Sequence, residues 1–155
     1  MEGQSMVNIR KAIRDDVPYI VSLLADDLLA AQRECCQTPL SQQYYSAFQA
    51  IDADQNNYLA VAELDGKIVG TLQLTFITHL TYQGGRRAQI EAVRVNKAYR
   101  GKSIGRTMIE WAIAKARQNN CHAIQLTTNK KRLDALKFYE KLGFAATHEG
   151  MKLHL

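Results

Sequence analysis

The stretch Val95-Asn96-Lys97-Ala98-Tyr99-Arg100-Gly101-Lys102-Ser103-Ile104-Gly105-Arg106 constrains this chain more than any other. An apolar, alternating segment stops there, a short loop with two glycines follows, and from Ile104 apolar residues recur at helical spacing. A strand that turns directly into a helix calls for a layered architecture of sheet and helices. It also makes a place for an anion. The first-turn N–H groups of a helix lack internal partners, and glycine lets the backbone come close to a bulky pyrophosphate. Lys97, Arg100, Lys102 and Arg106 supply countercharge within the same stretch. Glycines used for packing alone remain an alternative. A nucleotide P-loop is excluded, because it needs a glycine where Asn96 stands, five residues before Gly101.

Charge is divided along the chain. Residues 1–85 carry 5 Lys/Arg against 10 Asp/Glu, and residues 86–155 carry 15 against 5, so the parts hold −5 and +10 and the whole +5. Such a split suggests that one part meets an anion, with a solvated basic face as the alternative. A nucleic-acid surface would interleave exposed aromatics with Lys/Arg, whereas the aromatics here hold core-like positions, so no nucleic-acid partner is expected. No run nears the roughly 18 apolar residues of a membrane helix. Met1–Ser5 has neither the basic start nor the apolar stretch of a signal peptide. A cytoplasmic protein without membrane contact is expected. Cys35, Cys36 and Cys121 make no disulfide framework, and His79, His122, His148 and His154 lack zinc-ligand spacing, so no metal is expected.

The rest of the pattern reads as one domain over 1–155. Val7, Ile9 and Ile13 suggest a first strand turned inward. Asp15 or Asp16 can cap a helix with Pro18 in its first turn and a stripe of Ile20, Leu23, Leu24 and Leu28. A second helix is expected from Ser41 to about Ala53. Strands over Tyr58–Leu64 and Lys67–Phe76 flank the hairpin signal Asp65-Gly66. Ala88–Val95 follows as a strand, then a long helix from Ile104, a buried strand over Ala123–Thr128, and a helix striped by Leu133, Leu136, Tyr139 and Leu142 that Gly143 ends. Phe144–Leu155 could supply a last strand or two. The fold class is α/β: a mixed, mostly antiparallel sheet with helices on both faces.

Two blocks then carry a resemblance. Arg100-Gly101-Lys102-Ser103-Ile104-Gly105, preceded by the strand Ile90–Val95, is similar to the Gln/Arg-x-x-Gly-x-Gly/Ala turn of the GNAT superfamily of acyl-CoA-dependent N-acetyltransferases. Ala135-Leu136-Lys137-Phe138-Tyr139-Glu140-Lys141-Leu142-Gly143-Phe144 resembles the second hallmark of that family, at the usual separation and in the same order of elements. Ser103 stands where the family has its first motif glycine. Arg132 stands where many members place a cofactor-contacting asparagine, with Asn129 three residues earlier.

The resemblance implies a GNAT-like fold and transfer of an acetyl group from acetyl-CoA to an amine, on a small molecule or a peptide, by direct attack in a ternary complex. A non-catalytic acyl-CoA sensor on the same fold is the alternative. It implies a cofactor site of Val93, Arg94, Val95, Arg100, Gly101, Lys102, Ser103, Ile104, Gly105, Arg106 and Asn129. Val93 and Val95 would act through their backbones, as a strand pairing with pantetheine.

An amine with a pKa near 10.4 needs roughly 4–5 kcal/mol to become a nucleophile at pH 7, so a positioned carboxylate is useful. Glu91 is the candidate base. By simple alternation it shares a face with Val93 and Val95, while Ala88, Ile90 and Ala92 fill the other. An ion pair with Arg86, Arg87 or Arg94 is its structural alternative. Tyr139 resembles the general acid that protonates the departing thiolate; a core tyrosine is its alternative. Asp26, Asp27 and Glu34 could steer a cationic amine, with an ordinary solvated helix face as the alternative for each, and His79 and Tyr82 lie in a loop where the family often builds its acceptor pocket. A homodimer is a candidate assembly.

Overall fold

The computed structural model describes residues 6–27, 29 and 32–155. One five-stranded sheet runs in the order β1 (Asn8–Lys11), β2 (Asn57–Leu64), β3 (Lys67–Thr78), β4 (Arg86–Val95) and β5 (Ala123–Leu126). The first three pairings are antiparallel and β4–β5 is parallel. The β2–β3 turn places Asp65 at φ 51° and Gly66 at φ 75°, which matches the right-handed twist of the flanking strands. A parallel pair needs a crossover, and α4 (Ile104–Gln118) supplies it.

The helices take opposite faces. Against α4 pack Leu72, Leu74, Ile90 and Ala88, together with Ile104, Met108, Ile109 and Ala112 of the helix itself. On the other face α1 (Val17–Ala25) and α2 (Gln42–Ala53) close over Val61 with Val17, Ile20, Val21 and Phe48. A methyl at Gly70 would meet Met108 Sδ at 2.7 Å and the Arg94 carbonyl oxygen at 3.1 Å. A side chain there would make the Met108 thioether shift and the Arg94 carbonyl give by a few tenths of an ångström, so glycine eases the close approach of α4 to β3. A four-residue turn, α3 (Thr81–Gly84), left-handed at Tyr82 (φ 51°) and Gln83 (φ 59°), joins β3 to β4, and α5 (Leu133–Lys141) follows β5. No helix of the described residues is long and apolar enough to cross a membrane.

Several local expectations change. Ile13 is 56% exposed, because the chain leaves β1 and winds into a 3-10 turn at Arg14–Asp16. Asp16 does not cap α1 with its side chain. Its carboxylate accepts from the Ile13 N–H at 2.8 Å and from Arg10 at 2.7 and 3.1 Å. Helix α1 ends at Ala25, and Leu28, counted in its stripe, lies outside the described residues. The tail forms no strand: residues 144–155 have no regular structure, and Met151, Leu153 and Leu155 are exposed.

The largest correction falls on β4. Its partners on β3 pass from Thr71 to Gln73 while β4 passes from Arg94 to Glu91, so β4 carries one extra residue, and Ala92 sits at φ 53°. A bulge of this kind inverts the alternation beyond it. Val93 and Val95 therefore join Ala88 and Ile90 on the α4 side. Glu91 does not share their face.

Candidate active site

The site follows from where β4 loses a neighbour. Strand β5 pairs with it only at Arg87, Ala88, Gln89 and Ile90, yet β4 runs on to Val95. Past Ile90 the two strands part, and the β4 backbone faces a gap where a strand-like ligand could pair. A cleft of about 970 Å³ opens there. Val93 and Val95 line one wall, Tyr99–Gly101 and Ser103–Arg106 the next, and Lys131–Ala135 with Phe138 and Tyr139 the third.

The loop wall is shaped by left-handed backbone. Gly101 has φ 78°, with nothing within 4 Å of where a Cβ would stand. Ser103, the N-cap of α4, has φ 60° and no side-chain cap bond; its carbonyl accepts from the N–H and the hydroxyl of Thr107, both at 3.0 Å. A β-carbon in this region costs about 1–2 kcal/mol, which gives a physical reason for glycine at that motif position. A methyl on Gly105 would sit 3.5 Å from the Phe138 ring, in ordinary contact, so the packing there accepts Gly or Ala. Free first-turn N–H groups of α4, the open space at Gly101, and Arg100 and Arg106 on the same wall suit a diphosphate. The unpaired edge of β4 suits an extended amide chain. The residues present fit coenzyme A.

Not every residue of the sequence-based set meets in the cleft. The Lys102 ammonium lies over the Tyr99 ring at 5.1 Å instead of lining the cleft. Asn129 uses its side chain to accept from the Lys131 N–H at 2.9 Å. Arg94 turns to the α1 side, where it donates to Asp27 at 3.0 Å and reaches back to the Val93 carbonyl at 2.8 Å. Its Nε is buried without a partner. Arg132 also donates to Asp27. Burial pulls the Asp27 carboxyl upward, but Arg132, the Leu29 N–H and the Arg94 charge outweigh it and hold it below the ordinary carboxylate value.

Asp27 is thus engaged by two arginines and not free to meet a cationic amine. Asp26 accepts from Lys97, and Glu34 from the Tyr44 hydroxyl. The bridge from Asp27 to Arg132 joins the segment after α1 to the start of α5. A sequence gives no sign of it beyond an arginine where the family pattern has another residue.

Glu91 is exposed at the bulge, and among the described residues no cation pairs with it. Arg86 goes to Asn56 at 2.9 Å and over the Phe76 ring, and Arg94 to Asp27. Tyr139 packs edge-on against Phe138 and Phe144, with centroids 5.1 and 5.8 Å away. Burial raises its pKa, against the smaller opposing pull of Arg94 and Arg132, so the phenol keeps its proton. The Leu133 and Leu136 stripe beside it is not covered: they are 68% and 37% exposed, and Leu133 lines the cleft.

His79 and Tyr82 sit elsewhere. His79 Nε2 is 3.1 Å from His122 Nε2, and Tyr82 stacks on His122 with ring centroids 4.2 Å apart. His79 and Tyr82 precede Arg86, whose carbonyl accepts from the His122 N–H at 2.8 Å, and five residues of strand, about 16 Å, separate Arg86 from Glu91. They are not part of the cleft. Among the described residues no three His, Cys, Asp or Glu side chains gather as for a metal.

Known proteins resemble this chain along most of its length. An aminoalkylphosphonate N-acetyltransferase of Salmonella typhimurium is 32% identical over 140 residues, covering 90% of this chain and 86% of that one. A solved structure from Bacillus halodurans, described as a transcriptional regulator, is 51% identical and covers 97% of this chain and 100% of its own, with a TM-score of 0.94. A Clostridium acetobutylicum protein, described as a predicted acetyltransferase with acetyl-CoA, is 26% identical with a TM-score of 0.73 over 96% of each chain. The pattern of the acetyltransferase (GNAT) family matches residues 25–144, a span that takes in all three walls of the cleft. Strand splay, left-handed turn and family pattern coincide on one stretch of backbone, and the chain belongs to the acetyltransferase (GNAT) family, whose members are acetyl-CoA-dependent acyltransferases.

Proposed function

We propose that this protein acetylates a primary amine by direct attack within a ternary complex. The observation that carries this is the free edge of β4 from Glu91 to Val95, set beside the left-handed turn Gly101–Ser103. Bound there, acetyl-CoA supplies the activated carbonyl. The first-turn amides of α4 and Arg100 hold phosphate, while the Val93 and Val95 backbones align the chain that leads to the thioester.

Glu91 accepts the proton of the acceptor ammonium, directly or through a water, and so offsets the roughly 4–5 kcal/mol of deprotonation at pH 7. Tyr139, kept neutral by its burial, holds a proton for the sulfur that departs as the C–N bond forms. The bulge at Ala92 separates the base from the valines that grip the cofactor, so the two tasks use opposite faces of one strand.

The acceptor we infer also bears an anionic group. Arg94 and Arg132 share the single carboxylate of Asp27, which leaves one uncompensated positive charge close to Tyr139. The Salmonella relative acts, by its name, on aminoalkylphosphonates, which join a primary amine to such an anion. Thiol release from acetyl-CoA tests this. Catalytic efficiency for 2-aminoethylphosphonate should exceed that for ethylamine or spermidine at least tenfold, and Arg132→Gln should erase the preference. Equal rates for all three amines would remove the anion from the proposal.

A second reading is favoured by the Bacillus halodurans relative, described as a transcriptional regulator. For an acyl-CoA-responsive regulator, calorimetry would register acetyl-CoA binding while no amine in the panel releases thiol.

A further inference from the structure

The sheet beside Glu91 is polar. Leu72, Leu74 and Phe76 of β3 turn to the α4 side, so Gln73 and Thr75 between them share the opposite face with Glu91. Gln73 is the direct partner of Glu91 in the ladder, which brings their Cβ atoms to about 4.5–5.5 Å. Gln73 is half-buried and Glu91 exposed.

A chain of hydrogen bonds fixes which end of the Gln73 amide looks outward. The Asp54 carboxylate accepts from the Asn56 N–H at 2.8 Å and from Asn57 Nδ2 at 2.7 Å. A carboxylate only accepts, so the NH2 of Asn57 must face it and the Asn57 side-chain oxygen must face β3. There Oδ1 accepts from the Thr75 hydroxyl at 2.8 Å and from Gln73 Nε2 at 3.0 Å. The NH2 of Gln73 is thereby spent on β2. Because β4 lies on the other side of β3, the Gln73 oxygen is presented toward the Glu91 side. Among the described residues no donor meets that oxygen, and it stands open to solvent.

The geometry points to Gln73 as a binding residue for the acceptor amine, an inference that rests on the function proposed above. Glu91 takes one ammonium proton, while Gln73 Oε1 accepts from a second N–H and turns the freed lone pair toward the thioester. No bond is made or broken at Gln73. A neutral amide suits the place. A second carboxylate would also bind the ammonium, but would hold it in the protonated form that cannot attack. Asp54 and Asn57 are positioning residues that act through Gln73.

Asp54→Asn tests that chain of bonds. Its side-chain oxygen still accepts from the Asn56 N–H, while an NH2 now faces Asn57. Asn57 then turns over, Gln73 follows, and an NH2 meets the amine in place of the oxygen. Asp54 is exposed, in the turn before β2, and lines no wall of the cleft, so this substitution keeps the fold.

Thiol release from saturating acetyl-CoA is measured on the full chain with 2-aminoethylphosphonate, ethylamine and spermidine, and acetyl-CoA affinity by calorimetry. For the amine that the wild type uses best, Gln73→Met should raise KM about 10- to 100-fold, as for loss of a hydrogen bond to a charged group, with acetyl-CoA affinity unchanged. Asp54→Asn should raise KM in the same sense. The double variant should be no worse than Gln73→Met alone, because Asp54 acts only through Gln73. A wild-type KM in either single variant, or effects that add in the double variant, overturns the assignment and leaves the acetyltransferase reading intact. If Gln73→Met loses its fold, Asp54→Asn decides alone. Wild-type protein that binds acetyl-CoA but releases no thiol with any of the three amines overturns that reading, and the role of Gln73 with it.

Discussion

At its start β4 is hydrogen-bonded on both sides, to β3 and to β5, and Ala88 and Ile90 there are 0% and 2% exposed. Past Ile90 the same strand has no neighbour on the β5 side, Ala92 is left-handed, and Glu91 stands in water. The first half contributes packing and pairing. The second half keeps its pairing with β3 and the packing of Val93 and Val95 but gives up the β5 side, and what it leaves uncovered is the backbone and carboxylate that we assign to ligand and base. Local strain and unpaired edges persist only where the surrounding structure holds them, here between β3 on one side and α4 beneath. Stability and activity should therefore separate along one strand.

The sharpest way to break that comparison is Glu91→Gln. Turnover near pH 7 should fall about 100- to 1,000-fold, as for loss of a general base, while the thermal midpoint and the calorimetric affinity for CoA stay put. A variant with full turnover at every pH would take Glu91 out of its role. At the other end, Ile90→Ala should cost about 3 kcal/mol in urea unfolding, because the buried side chain leaves a cavity under α4. Loss of activity there should follow only from loss of fold.

Asp16→Asn probes a part of the molecule remote from the cleft. The Asp16 carboxyl is 5% exposed as a residue and bonded by Arg10 and the Ile13 amide. Burial raises its pKa, and those bonds and the Arg10 charge more than reverse the rise, so it lies below its ordinary value in the folded state. A depressed pKa contributes stability above the unfolded value, and that stability is lost as pH falls through the folded one. Wild-type stability should thus decline below a pH of about 4, where Asp27 acts in the same sense. Asp16→Asn should cost about 2 kcal/mol at pH 7 and show a shallower acid decline, both read from denaturation at a series of pH values.

The smallest effect sharpens the comparison. Ser103→Gly should stabilise the fold by about 0.5–1 kcal/mol, since glycine takes φ 60° without penalty. If the turn is held as drawn, CoA affinity should rise or stay level. A loss of stability would mean that the Ser103 side chain makes a contact that outweighs its strain.

The sequence by itself determined the order of elements, the layered sheet and the turn at Arg100–Gly105, because these rest on short-range chemistry. Periodicity, Asp65-Gly66 and the glycines of the motif act over a few residues, and the structure places them within one or two positions of where they were read. Glu91, Val93 and Tyr139 stand out chiefly through the resemblance to the family, with the alternation of the strand as a second argument for Glu91. The face on which each stands was another matter. One inserted residue at Ala92 reverses the alternation of β4, and its left-handed backbone follows from pairing with β3, which no local pattern announces. The Asp27–Arg94–Arg132 bridge spans more than a hundred residues of chain, so acids read as free to steer a cation turn out to be neutralised. The tail shows the converse. Its strand pattern was legible, but a strand forms only where an edge receives it, and residues 144–155 pair with none among the described residues.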